Sequence, residues 1–160
     1  MKKYLIALAT ILALSGGIYG ATLFARPTRK PVQAQIVEEP LSIPEIHRLV
    51  NIERVKAGQE PFILDERLNA TAQRKADEML ASGIFEHANA DGVHGYTYMK
   101  DIPECHVASE NLSYGQYTNY YVVNGNGWMG SKPHHDAMLS PNYHIVGYGI
   151  AGRYVVQHMC

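Results

Sequence analysis

The stretch IVGYGIAGRYVVQH, residues 145–158, decides the fold class. Two runs rich in β-branched and aromatic residues, 145–150 and 153–158, flank Ala151-Gly152, a pattern that predicts two strands joined by a tight turn. Upstream the period changes. Asp65 is placed as an N-cap, and Leu68, Ala72, Ala76, Met79 and Leu80 then recur at helical spacing until Gly83 supplies a stop. Arg67, Arg74, Lys75, Asp77 and Glu78 fall on the solvated face of that helix. An earlier helix opens at the capping-box string Ser42-Ile43-Pro44-Glu45, carries Ile46, Leu49, Val50 and Val55 at helical spacing, and ends at Ala57-Gly58. Residues 91–103 show no sustained period and read as a long surface loop, whereas 117–128 reads as a helix. Helices first and a hairpin last indicate an α+β fold with an antiparallel sheet.

The length of 160 residues suits one domain, and 46% hydrophobic with 18% charged residues suits a globular core, so disordered, collagenous and disulfide-dense classes are excluded. Charge is unevenly distributed. Residues 1–40 carry five Lys and Arg against two Glu, whereas residues 41–160 carry nine against thirteen Asp and Glu. An acidic domain is a poor partner for polyanions, which argues against nucleic acid.

Lys2 and Lys3 precede an uncharged run from Tyr4 to Ala25, and Arg26, Arg29 and Lys30 follow it. Residues 1–25 therefore read as a signal peptide or an N-terminal membrane anchor. The candidate cleavage sites place Tyr19 or Leu23 where a small residue is wanted, which favours the anchor. The proline-containing segment 26–40 reads as a linker, and 41–160 as the folded domain. The two cysteines, Cys105 and Cys160, suit either one disulfide in an oxidising compartment, worth ~4 kcal/mol for so long a loop, or two unrelated buried thiols.

Several short strings stand in a telling order. They are Leu49-Val50-Asn51 with Arg54, Pro61-Phe62 with Leu64-Asp65, Phe85-Glu86-His87, Glu110-Asn111-Leu112, Trp128-Met129 with Ser131 and His134, and Tyr143 with Val146-Gly147-Tyr148-Gly149. In this ordered set the chain resembles the CAP superfamily of cysteine-rich secretory, antigen 5 and pathogenesis-related proteins, and most of all its bacterial SCP-like branch. The resemblance implies an α-β-α sandwich, with a small antiparallel sheet between helical layers, and an extracytoplasmic location. It also implies a cleft lined by His87, Glu110 and His134. Eukaryotic members carry a second cleft glutamate where this chain has Ser131, a departure that weakens the transfer of metal-dependent or hydrolytic activity.

Taken by themselves, two histidines and a glutamate can fill three positions around Zn2+ and leave one for water, although their spacing carries no metal signature. His87, His134 and Glu110 are thus the candidate metal ligands and Zn2+ the candidate cofactor. Adjacent helical residues point ~100° apart, so His135 is assigned to the surface beside Asp136. His94 and His106 read as solvated loop residues, and packing or solvent accounts for His47, His144 and His158. Asn111 and Trp128 read as structural, and tyrosines concentrated in the second half of the chain suit a binding rim as well as core edges. No Gly-x-Ser-x-Gly string is present, and neither cysteine has the surroundings of a catalytic thiol.

Two functions compete. One is a non-enzymatic extracytoplasmic binding module whose cleft holds a peptide, glycan or lipid of the envelope, with the membrane reached through the N-terminal segment. The other is a zinc-dependent hydrolase with Glu110 as general base and His87 and His134 as ligands.

Overall fold

A computed structural model describes residues 40–160; the anchor or signal segment and most of the linker lie outside the described residues. The chain order is α1 (Ile43–Lys56), β1 (Ile63–Leu64), α2 (Glu66–Ser82), β2 (Ser109–Tyr114), α3 (Asn119–Val123), α4 (Lys132–Met138), β3 (Ile145–Ala151) and β4 (Tyr154–Met159). The sheet order is β1-β3-β4-β2. β3, β4 and β2 are antiparallel as expected, but the two-residue β1 pairs with β3 in parallel, so the sheet is mixed. Among the described residues no helix is long and apolar enough to cross a membrane.

α2 covers one face of the sheet, burying Ala72, Ala76 and Met79 against Leu112, Val156 and Tyr154. It can lie almost on the backbone of β3 because Gly147 and Gly149 leave the space: a Cβ at either would stand 2.1 or 2.3 Å from the helix backbone. The other face carries Tyr148 and Val155 against Ile46 and Val50 of α1, Val122 and Val123 of α3, Trp128 and Met138. Helices thus lie on both faces, the α-β-α sandwich expected. Trp128 fills that core and donates its indole N–H to the carbonyl of Leu112 at 3.1 Å. Buried Arg54 donates to the carbonyls of Glu60, Met138, Ser140 and Tyr143 and lies 3.6 Å from the ring centre of Phe62, tying α1 to the chain around α4.

The local signals were obeyed unevenly. Asp65 caps α2 by accepting from the N–H groups of Arg67 and Leu68, and Gly83 ends it with φ 71°. The capping box at α1 does not form: Ser42 makes no side-chain cap, its N–H donates to Asn119 Oδ1 at 2.7 Å, and Glu45 pairs with Arg48. Val55 and Leu80, expected on apolar faces, are exposed, and Lys75, expected in solvent, is buried. Only 119–123 of the expected 117–128 helix is α-helical, because Gly125 and Gly127 interrupt it. The loop after α2 is less irregular than expected, with a 3-10 turn at Gly95–Met99. Met99 and Ile102 pack on Leu68 and Cys160 in a small cluster completed by the Cys105–Cys160 disulfide. Residues 109–114, not expected as regular structure, form an edge strand.

Candidate functional site

The register of β2 against β4 places Glu110 directly opposite His158, Leu112 opposite Val156 and Tyr114 opposite Tyr154. All of these project toward α2. Glu110 is therefore a carboxylate driven into the sheet–helix layer, with only 3% of its side chain exposed. Its compensation is complete. His87 Nδ1 donates to Oε1 at 2.7 Å, and His158 Nε2 donates to Oε2 at 2.9 Å.

The contacts continue inward from His158, whose Nδ1 lies 2.9 Å from the hydroxyl of Thr71 on α2. The same hydroxyl lies 2.9 Å from the carbonyl of Leu68, which ties the ring of His158 to the first turns of α2. A chain Thr71–His158–Glu110–His87 thus runs from buried helix to open surface, since half of the His87 side chain is exposed. Burial raises the Glu110 pKa, but the hydrogen bonds and positive charge of His158 and His87 outweigh it, and the carboxyl is held below its usual range.

The loop that delivers His87 is fixed against the same carboxylate. Gly95 N–H donates to the carbonyl of His87 at 2.9 Å, and Ala88 and His94 form an isolated bridge. A Cβ at Gly95 would stand 1.8 Å from Glu110 Oε2, so only glycine permits this approach.

His134 is held at the opposite side of the β2 edge, through its backbone. Asn111, whose side chain points away from α2, donates to the carbonyl of His134 at 3.1 Å and to Gln157 Oε1 at 2.9 Å, holding α4 on the edge strand. The structural role expected for Asn111 is thus seen, although Asn111 lies on a strand and bonds through its side chain. Burial and then the neighbouring charge of His87 lower the His134 pKa. His135 turns outward and pairs with Asp136 at 3.0 Å. His94 and His106 are exposed loop residues.

His158 corrects the sequence reading. Assigned to packing or solvent, it is the fully buried second partner of Glu110, and Thr71 and Gly95 complete the surroundings. The residues fit a metal only in part. Both Glu110 oxygens are engaged by imidazoles, so of the three candidate ligands the carboxylate is already occupied. Among the described residues no group of three or more His, Cys, Asp or Glu is placed to hold a metal ion. Glu110 stands behind His87, in the position of a carboxylate that orients a ligand imidazole.

The profile of the cysteine-rich secretory protein family, CAP, matches residues 47–158. Over 106 residues the chain is 32% identical to YkwD of Bacillus subtilis (strain 168), covering 66% of this chain and 40% of that protein. It is 29% identical over 119 residues to the membrane protein YlbC of the same organism, covering 71% of this chain and 33% of that protein. The chain thus spans less than half the length of either relative. Among solved structures, an extracellular SCP-domain protein of Bacillus anthracis str. Ames superposes with a TM-score of 0.68 at 17% identity, over 76% of this chain and 44% of the other. An outer surface protein of Borrelia burgdorferi superposes with a TM-score of 0.64 at 18% identity, over 71% of this chain and 87% of the other. At such identities the superpositions speak for the fold alone, but they agree with the profile and with the ordered strings: the chain belongs to the cysteine-rich secretory protein (CAP) family, in its bacterial SCP-like branch.

Proposed function

We propose that the chain is an extracytoplasmic binding module whose cleft, framed by His87 and His134 over Glu110, holds a peptide, glycan or lipid of the cell envelope. The observation that carries this reading is the state of Glu110. A general base needs a carboxylate oxygen free to meet a water, and here both oxygens already accept from buried or fixed imidazoles. Glu110 is thereby a scaffold for His87, which speaks against the hydrolase in which it would be the base. The extracytoplasmic location is supported by the extracellular and outer-surface proteins that share the fold, and by a disulfide that suits an oxidising compartment. Residues 1–25 serve in this reading as the anchor or export signal. Zn2+, if taken up, is held by His87 and His134 with water filling the rest of its coordination, a weak site.

The test is retention of isolated envelope peptide, glycan and lipid fractions by the full chain. One fraction is expected to be held and to be lost in His87→Ala. Retention of none, or retention indifferent to His87 and His134, would overturn the reading.

A further inference from the structure

A second feature stands at the other end of β2. Phe85 and Tyr114 lie open to solvent with ring centres 5.7 Å apart, and Tyr114 is 4.6 Å from the ring of Tyr154 beneath it. The guanidinium of Arg153, on the β3–β4 turn, sits 4.2 Å from the centre of exposed Tyr117 and 5.6 Å from that of Tyr114. It is pinned by one bond, from Nη2 to the carbonyl of Gly115 at 2.8 Å. Among the described residues Arg153 has no carboxylate partner, whereas Arg48, Lys56, Arg67, Arg74 and Lys132 each have at least one. An oriented guanidinium with donors to spare, set among aromatic faces, is a receptor for a carboxylate carried on a ring that has an apolar C–H face.

We infer that Phe85, Tyr114, Tyr117 and Arg153 form a subsite for an acidic glycan, its sugar rings lying on the aromatic faces and a carboxylate of the sugar paired with Arg153. This rests on the binding-module reading and names its ligand class. The subsite is continuous with the cleft: Phe85 is two residues from His87, and Tyr114 is four from Glu110 along the same strand, ~13 Å. A short oligosaccharide laid along the β2 edge would reach both. An anionic membrane surface fits less well, because Arg153 is the one cation among the four residues: a single guanidinium can pair with one sugar carboxylate, whereas attraction to an anionic leaflet draws on clusters of several Lys or Arg.

The experiment uses the full chain, labelled with 3-fluorotyrosine and reconstituted in phosphatidylcholine nanodiscs, titrated with tetragalacturonate and, separately, with uncharged maltotetraose. Saturable fluorine shifts at Tyr114 and Tyr117, identified through Tyr→Phe variants, are expected with tetragalacturonate. Affinity is expected to fall about fivefold or more in Arg153→Gln, in Tyr117→Ala and when maltotetraose replaces the acidic sugar. No tyrosine shift up to about 10 mM tetragalacturonate would overturn the subsite, whatever the cleft retains from envelope fractions. Binding lost in His87→Ala but kept in Arg153→Gln would place the sugar in the cleft, sinking the subsite and sparing the reading it rests on. Shifts of the same tyrosines on adding phosphatidylglycerol to the nanodiscs, with none on adding sugar, would overturn the proposal in favour of a membrane contact.

Discussion

His158 Nε2 lies 2.9 Å from Glu110 Oε2, with 0% and 3% of the two side chains exposed. A carboxylate so placed is tolerable only with its partners, and removing one leaves the other buried without compensation. His158→Leu is expected to cost about 3–5 kcal/mol in urea unfolding. The double variant His158→Leu with Glu110→Leu is expected to cost less than the sum of the single changes. Additive losses would mean that the two side chains do not act as a pair.

The Glu110 carboxyl is held below its usual range, because hydrogen bonds from His158 and His87 outweigh burial. A depressed folded pKa means that the unfolded chain takes up the proton first as pH falls. The contribution is therefore complete above about pH 4.5 and is lost as pH drops through the lower folded value. Urea midpoints of the protein and of Glu110→Gln should converge below pH 4.5; a gap constant from pH 7 to 3 would contradict the assignment.

For His134 the sign is reversed in its effect on charge: burial and the charge of His87 disfavour the imidazolium. Its NMR titration midpoint should lie below about 6.5, and should rise in His87→Ala without reaching the value of a free histidine. Zn2+ should raise the melting temperature only weakly at micromolar to millimolar concentration. The shift should vanish in His134→Ala, persist in His135→Ala and shrink as pH falls through about 6.5. Equal loss in the His134 and His135 variants would reject the outward placement of His135.

What could be read from sequence was what is decided locally. Asp65 caps α2 because its partners are two and three residues away, and the β3–β4 hairpin is announced by its own turn. β2 was not legible, since its alternation is broken: the face turned to α2 carries Glu110, Leu112 and Tyr114, a buried acid among apolar residues, while Asn111 and Ser113 are also buried. His158 was invisible for the same reason. Its role depends on a register set 48 residues away in the chain. Lys75, on the face expected in solvent, is buried, and the same helix meets the loop after it where Tyr98 donates to Glu78; neither long-range contact has a local sequence signal. The strings shared with the family located Glu110, His87 and His134, but not the side chains that fix them.

The Cys105–Cys160 disulfide joins the loop after α2 to the end of β4, two residues beyond His158. Reduction is expected to lower stability by about 4 kcal/mol. Amide exchange should accelerate most around Met99 and Ile102, whose cluster it closes. Uniform acceleration over α1 and α2 instead would show that the bond does not act locally.

The central claim is that Glu110 supports His87 for binding and is not a base for hydrolysis. It is tested most directly by incubating the full chain with the envelope fraction it retains, with and without Zn2+, and following the fraction by mass spectrometry. The account predicts that the bound component is recovered unchanged. New hydrolytic fragments that require Zn2+ and disappear in a folded Glu110→Gln variant would contradict it.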